Sequence, residues 1–252
     1  MSLSSRFATP ESRTRGPQGV HRERVCHSRE QASGAGSVVT AVNIAGWGLV
    51  GLVLAIVLRV VVERGSFLPA GSGRLAPPAV LEVSTGVLFS ALAWRLGAEH
   101  ALFAYSWLAA AGVQLAAIDW KTRILPTKLI WPTGILLASL FGLAAVLDHD
   151  AYPLIRSVAG MLALLIFYGA LYFLRPGGLG GGDLRLSCLL GLALGWVSWT
   201  VILTGTLLGW LSAAAALLVL RAVRGSEASR DSPLGPFLIV GGLAAVLLSS
   251  TN

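Results

Sequence analysis

Apolar residues in this chain come in long blocks separated by short polar or Gly/Pro breaks. From about residue 44 onward the blocks run roughly 17 to 22 residues, the length an α-helix needs to cross ~30 Å of hydrocarbon. The pattern predicts an all-α, polytopic membrane helix bundle of about eight transmembrane helices. They lie near 44–62, 79–97, 100–118, 129–147, 153–174, 183–197, 199–220 and 234–250. The second and sixth carry two charges each: Glu82 and Arg95 interrupt the second, and Asp183 and Arg185 open the sixth.

Composition supports the membrane assignment. Of 252 residues, 55% are hydrophobic and 12% charged, with a mean hydropathy of +0.74, far above a soluble domain of this length. In a soluble chain a net charge of +7 and a pI near 10.2 would suggest nucleic acid. Here the basic residues sit in short loops, so they point to membrane lipid and not to nucleic acid as the partner. Arg59, Arg64 and Arg74 follow the first run, Lys121, Arg123 and Lys128 the third, Arg175 and Arg185 the fifth, and Arg221, Arg224 and Arg230 the seventh. The intervening loops hold only Arg95 and Arg156. The odd-numbered loops are therefore expected on the cytoplasmic side.

Residues 1–43 read as a disordered basic tail, and 44–252 as the membrane-embedded domain. Six arginines in the tail, against Glu11, Glu23 and Glu30, resist the outward placement that the loops require. One resolution is a translation start nearer Val38 or Val39, which would leave the tail untranslated in the native cell; the alternatives are that the first segment inserts the other way round or does not span at all.

Most acidic residues fall in the tail or in loops, leaving Glu82, Asp119 and Asp183 at membrane depth or its edge. A carboxylate there is paired, water-facing or functional. Two runs separate Asp119, at the end of the third, from Asp183, at the start of the sixth, so both belong on the same side and can meet. Paired carboxylates in one low-dielectric site share a proton; such a pair can take a proton from water and give one to an amide nitrogen, which is aspartyl protease chemistry. The glycines before Asp183 would let a substrate backbone approach closely. The plainer alternatives are an N-cap for Asp183 and an interfacial anchor paired with Lys121 or Arg123 for Asp119. Glu82 reads as half of a structural ion pair near Arg74. His100 and His149 read as solvated, and Cys26 and Cys188 as unpaired thiols with no zinc-site spacing. The pairs Gly191/Gly195 and Gly205/Gly209 read as close helix packing.

Four segments, in order, resemble one family. "GLGGGDLRLSCLLGLALGW" resembles the GxGD motif of the bacterial prepilin leader peptidases, and "IDWKTRILPTKL" their first aspartate motif. "LAPPAVLEVSTGVLFSALAWRLG" is similar to the family's entry into the second span, with a Glu at the position of Glu82, and "SPLGPFLIVGG" to its last helix entrance. The resemblance implies a membrane aspartyl endopeptidase of the type IV pilus or type II secretion kind, in the bacterial inner membrane. Asp119 and Asp183 would be its catalytic pair, with Gly180 and Gly182 as the motif glycines. It implies prepilin or pseudopilin substrates cut at the cytoplasmic face; the missing cysteine pairs and the short loop after the first run imply no cofactor or metal. Many members insert a cytoplasmic domain with two CxxC zinc pairs after the first span and methylate the trimmed pilin; here "RGSFLPAGSGRLAPPAVLE" leaves no room for it. Thr127 stands after Pro126 where many members have Asp or Asn.

Two other readings compete. One is a proton-coupled transporter, against which stand carboxylates on one side only and no inverted repeat of hydropathy. The other is a noncatalytic pilus or secretion assembly protein, against which stands the intact aspartate pair. The oligomeric state is open at this stage.

Overall fold

Every apolar run becomes a helix. The computed structural model describes residues 17–65, 78–123, 125–174, 179–224 and 233–249. Among them it contains eight helices and no strand. These are α1 (Pro17–Arg64), α2 (Pro78–Leu96), α3 (Ala101–Thr122), α4 (Thr127–Leu147), α5 (Tyr152–Leu174), α6 (Gly181–Val197), α7 (Trp199–Arg224) and α8 (Gly235–Leu248). The chain divides into two compact units between Asn43 and Ile44. In the first, residues 17–43 are helical as part of α1, where the sequence reads a disordered tail; residues 1–16 lie outside the described residues.

Six helices are long and apolar enough to cross a membrane, and the protein is a multi-pass membrane protein. The exceptions are α6, with 17 residues, and α8, with 14; at 1.5 Å per residue they reach only about 26 and 21 Å. Both are largely buried, as is α3. Helices α5 and α7, and α1 from Thr40 onward, instead leave most of their apolar side chains unburied. Lipid is as apolar as leucine, so close packing and internal hydrogen bonds, not exclusion from water, hold such a bundle together.

Glycines set the closest approaches. A Cβ on Gly191 of α6 would stand 2.6 Å from the Gly160 carbonyl oxygen of α5, and one on Gly195 would stand 2.8 Å from that of Arg156. Between α7 and α8, a Cβ on Gly241 would meet the Gly209 nitrogen at 2.3 Å. The two glycine pairs marked in the sequence thus pack backbone on backbone. Polar side chains add specific ties. Trp47 donates to the Ser106 hydroxyl at 2.9 Å, joining α1 to α3. Tyr105 donates to the Ala193 carbonyl at 2.7 Å, joining α3 to α6.

Arg156, which the sequence places in an outward loop, closes the C-terminus of α6. Its guanidinium donates to the carbonyls of Gly195 and Val197, both at 2.7 Å, and of Trp196. A helix leaves its last carbonyls without partners, and a cation there also meets the negative end of the helix dipole.

The α5–α6 contact is backbone against backbone, so it has no side chain that can give way. Gly191→Ala should lower stability by about 1–3 kcal/mol, read as a fall in the thermal unfolding midpoint in detergent. Gly142→Ala, where a Cβ meets nothing within 4 Å, should leave the midpoint unchanged or higher.

Candidate active site

Asp119 lies in the last turn of α3 and is 5% exposed. Its neighbour Trp120 points outward, packing edge-on to Phe237. The helix ends at Arg123, whose left-handed backbone (φ 54°) returns its N–H to the Asp119 carbonyl. Beyond the turn, Leu125 is buried.

The carboxylate of Asp119 meets the start of α8. Leu234 is the N-cap there, and Pro236 sits within the first turn, where its missing N–H costs nothing and its fixed φ suits the helix. That leaves the Gly235 N–H as an unpaired first-turn donor, and it donates to Asp119 Oδ2 at 3.1 Å. An anion at a helix N-terminus is favoured by both the free amides and the dipole. A Cβ on Gly235 would stand 2.6 Å from that oxygen, so only glycine permits this approach.

Asp183 is the third residue of α6, and Gly180, extended at φ −75° and ψ 144°, is the N-cap. The sequence allowed Asp183 itself as the cap; the helix instead begins at Gly181. The half-buried side chain of Asp183 folds back over its own helix start, close enough that a Cβ on Gly180 would lie 3.2 Å from Oδ2. Leu125 walls both starts: a Cβ on Gly182 would meet its Cβ at 2.7 Å, and one on Gly235 its Cδ1 at 3.4 Å. Leu125 thereby joins the start of α6, which carries Asp183, Gly180 and Gly182, to the start of α8, which meets Asp119. Tyr168 of α5 is buried, and its hydroxyl accepts the Trp210 indole N–H at 2.8 Å.

Other sequence expectations fare differently. Glu82 does form an ion pair, but with Arg59 of α1 at 2.6 Å; Arg74 lies outside the described residues. His100 is bonded to Asp148 at 2.5 Å, and both side chains are nearly half exposed, so it is not merely solvated. Among the described residues no three His, Cys, Asp or Glu gather as metal ligands. The sequence reading missed Gly235 and Leu125 at this junction; only the "SPLGP" and "LP" stretches hinted at them.

The glycine run is not uniformly constrained. Gly182→Ala should force Leu125 aside and lower the unfolding midpoint, whereas Gly181→Ala, whose Cβ would meet only the Arg185 Nη1 at 3.9 Å, should not. Thermal unfolding of the two variants side by side checks this.

Residues 102–223 match the type IV leader peptidase family, a stretch that includes both aspartates. The chain is 32% identical over 173 residues to a prepilin leader peptidase/N-methyltransferase of Pseudomonas aeruginosa, covering 67% of this chain and 57% of that protein. A protein of the same name from Pseudomonas putida is 33% identical over 174 residues, with the same two coverages. One from Neisseria gonorrhoeae is 32% identical over 176 residues, covering 65% and 54%. The chain thus spans a little over half the length of these curated relatives. No solved structure matches it. The matched region, the ordered motifs and the helical bundle agree: this chain belongs to the type IV leader peptidase family.

Proposed function

We propose that the chain is a membrane aspartic endopeptidase that removes the leader peptide of a prepilin or pseudopilin, with Asp119 and Asp183 as its catalytic pair. The observation that supports this reading is that the start of α8, which holds Asp119 Oδ2, and the start of α6, which carries Asp183, both pack on Leu125. With one proton between them, the charged carboxylate draws a proton from water as that water attacks the scissile carbonyl. The protonated one hydrogen-bonds the carbonyl oxygen and then delivers its proton to the departing amide nitrogen. The Gly235 amide holds Asp119 Oδ2, which fixes one oxygen of that carboxylate. Gly182 leaves room for Leu125, and Gly180 keeps a side chain away from Asp183 Oδ2.

Basic residues cluster in the loops at the aspartate end, which favours that end as cytoplasmic, in the inner membrane of a bacterium. Both carboxylates sit at this one end, which speaks against a proton path across the bundle.

Asp119→Asn and Asp183→Asn keep size and polarity but cannot share a proton. Each should lower cleavage of a co-expressed prepilin by at least about a hundredfold, while the variant still inserts in the membrane. Mature pilin at the wild-type level would refute the assignment.

The curated relatives are named for methyl transfer as well as cleavage. We do not extend the transferase activity to this chain: residues 65–77, between α1 and α2, contain no cysteine, so a cysteine-based zinc site has no ligands there. Elemental analysis of purified protein should show no stoichiometric zinc, and cleaved pilin should take up no labelled methyl group from S-adenosylmethionine.

A further inference from the structure

At the end of the bundle away from the aspartates, α2 and α7 both pack on α8 and leave a wedge between them. The wedge is a cavity of about 850 Å³, a volume typical of a ligand site. Its lining is graded. Arg95, Glu99, Thr200 and Ser249 form a polar rim, and Leu207, Leu208 and Leu248 form the apolar wall. Leu207 and Leu248 are 60% and 77% exposed, so the wall opens sideways toward lipid. Trp94 and Trp199, each next in sequence to a rim residue, are also exposed. Exposed indoles collect at the level of lipid headgroups.

The rim carries two opposite charges that do not neutralise each other directly. Arg95 and Glu99 form no ion pair, and the hydrogen bond of Arg95 is a long one, 3.4 Å, to the Ser249 hydroxyl. A guanidinium with open donors is suited to a phosphate, and a carboxylate nearby to an ammonium.

We propose that this cavity binds a phospholipid with a zwitterionic, primary-amine headgroup: Arg95 takes the phosphate, Glu99 the ammonium, and one acyl chain lies along Leu207, Leu208 and Leu248. An anionic lipid would satisfy Arg95 but set its charge beside Glu99, and a choline headgroup would offer Glu99 no N–H. The site is separate from the aspartates and does not depend on the proposed peptidase activity.

Native mass spectrometry of the full chain, delipidated in detergent and titrated with phosphatidylethanolamine, phosphatidylcholine or phosphatidylglycerol of identical acyl chains, tests this. The wild type should retain one phosphatidylethanolamine per chain in preference to the other two. Arg95→Gln should weaken all three lipids by roughly tenfold, about 1.4 kcal/mol. Glu99→Gln should bring phosphatidylethanolamine and phosphatidylcholine to equal retention. Leu208→Trp, which fills the chain slot without touching either charge, should exclude all three while keeping the wild-type unfolding midpoint. Unchanged retention by Leu208→Trp, or tighter binding of phosphatidylglycerol by the wild type, would overturn the proposal. So would retention of a peptide helix in place of lipid.

Discussion

The hydrogen bond from the Gly235 amide to Asp119 Oδ2 ties the last described helix to the third, across more than a hundred residues of sequence. It answers two needs at once. A helix that begins inside the bundle exposes first-turn amides with no intrahelical acceptor, and a carboxylate at that depth needs donors. Each supplies what the other lacks, and Pro236 adds no further unmet donor.

The placement of both helix starts follows from helix length. Residue Gly209 of α7 lies against Leu238 of α8, yet α7 runs on to Arg224 while α8 starts at Gly235. In the same way Gly169 of α5 lies beside Leu184 of α6, and α5 continues to Leu174. Two short helices thus start short of the ends of longer neighbours, with Asp183 in the first turn of one and Asp119 against the first turn of the other. The positive ends of both helix dipoles therefore face the aspartates. At the other end of α6, Arg156 takes up the free carbonyls, so the short helix is closed at both ends within the bundle. Leu125 fits between Gly182 and Gly235 and so keeps the two starts in register.

Much of this was legible in the sequence. Long apolar runs specify helices because hydrocarbon leaves the backbone no other hydrogen-bonding partner, and all eight runs were found. That Asp119 and Asp183 lie at the same end of the bundle followed from counting crossings, and the close packing at Gly191 and Gly195 from their spacing. Other features were hidden for physical reasons. Hydropathy reports composition and not depth, so it could not show that α6 and α8 start inside the bundle. Nothing in the immediate sequence of Glu82 points to Arg59, because that pair is set by how α1 lies against α2, where a Cβ on Gly86 would approach the Gly48 carbonyl at 3.2 Å. Arg156 looked like a loop charge because capping of a distant helix leaves no mark on its own neighbours.

The account rests on Asp119 and Asp183 sharing one site, and a crosslink measures that directly. Cysteines would replace both aspartates in a chain whose own Cys26 and Cys188 are serine, with a protease site inserted after His149, in the turn between α4 and α5. After treatment with a short bifunctional thiol reagent in native membranes and cutting at the new site, the two fragments should migrate as one band on a denaturing gel. Two separate bands after complete thiol modification would contradict the account.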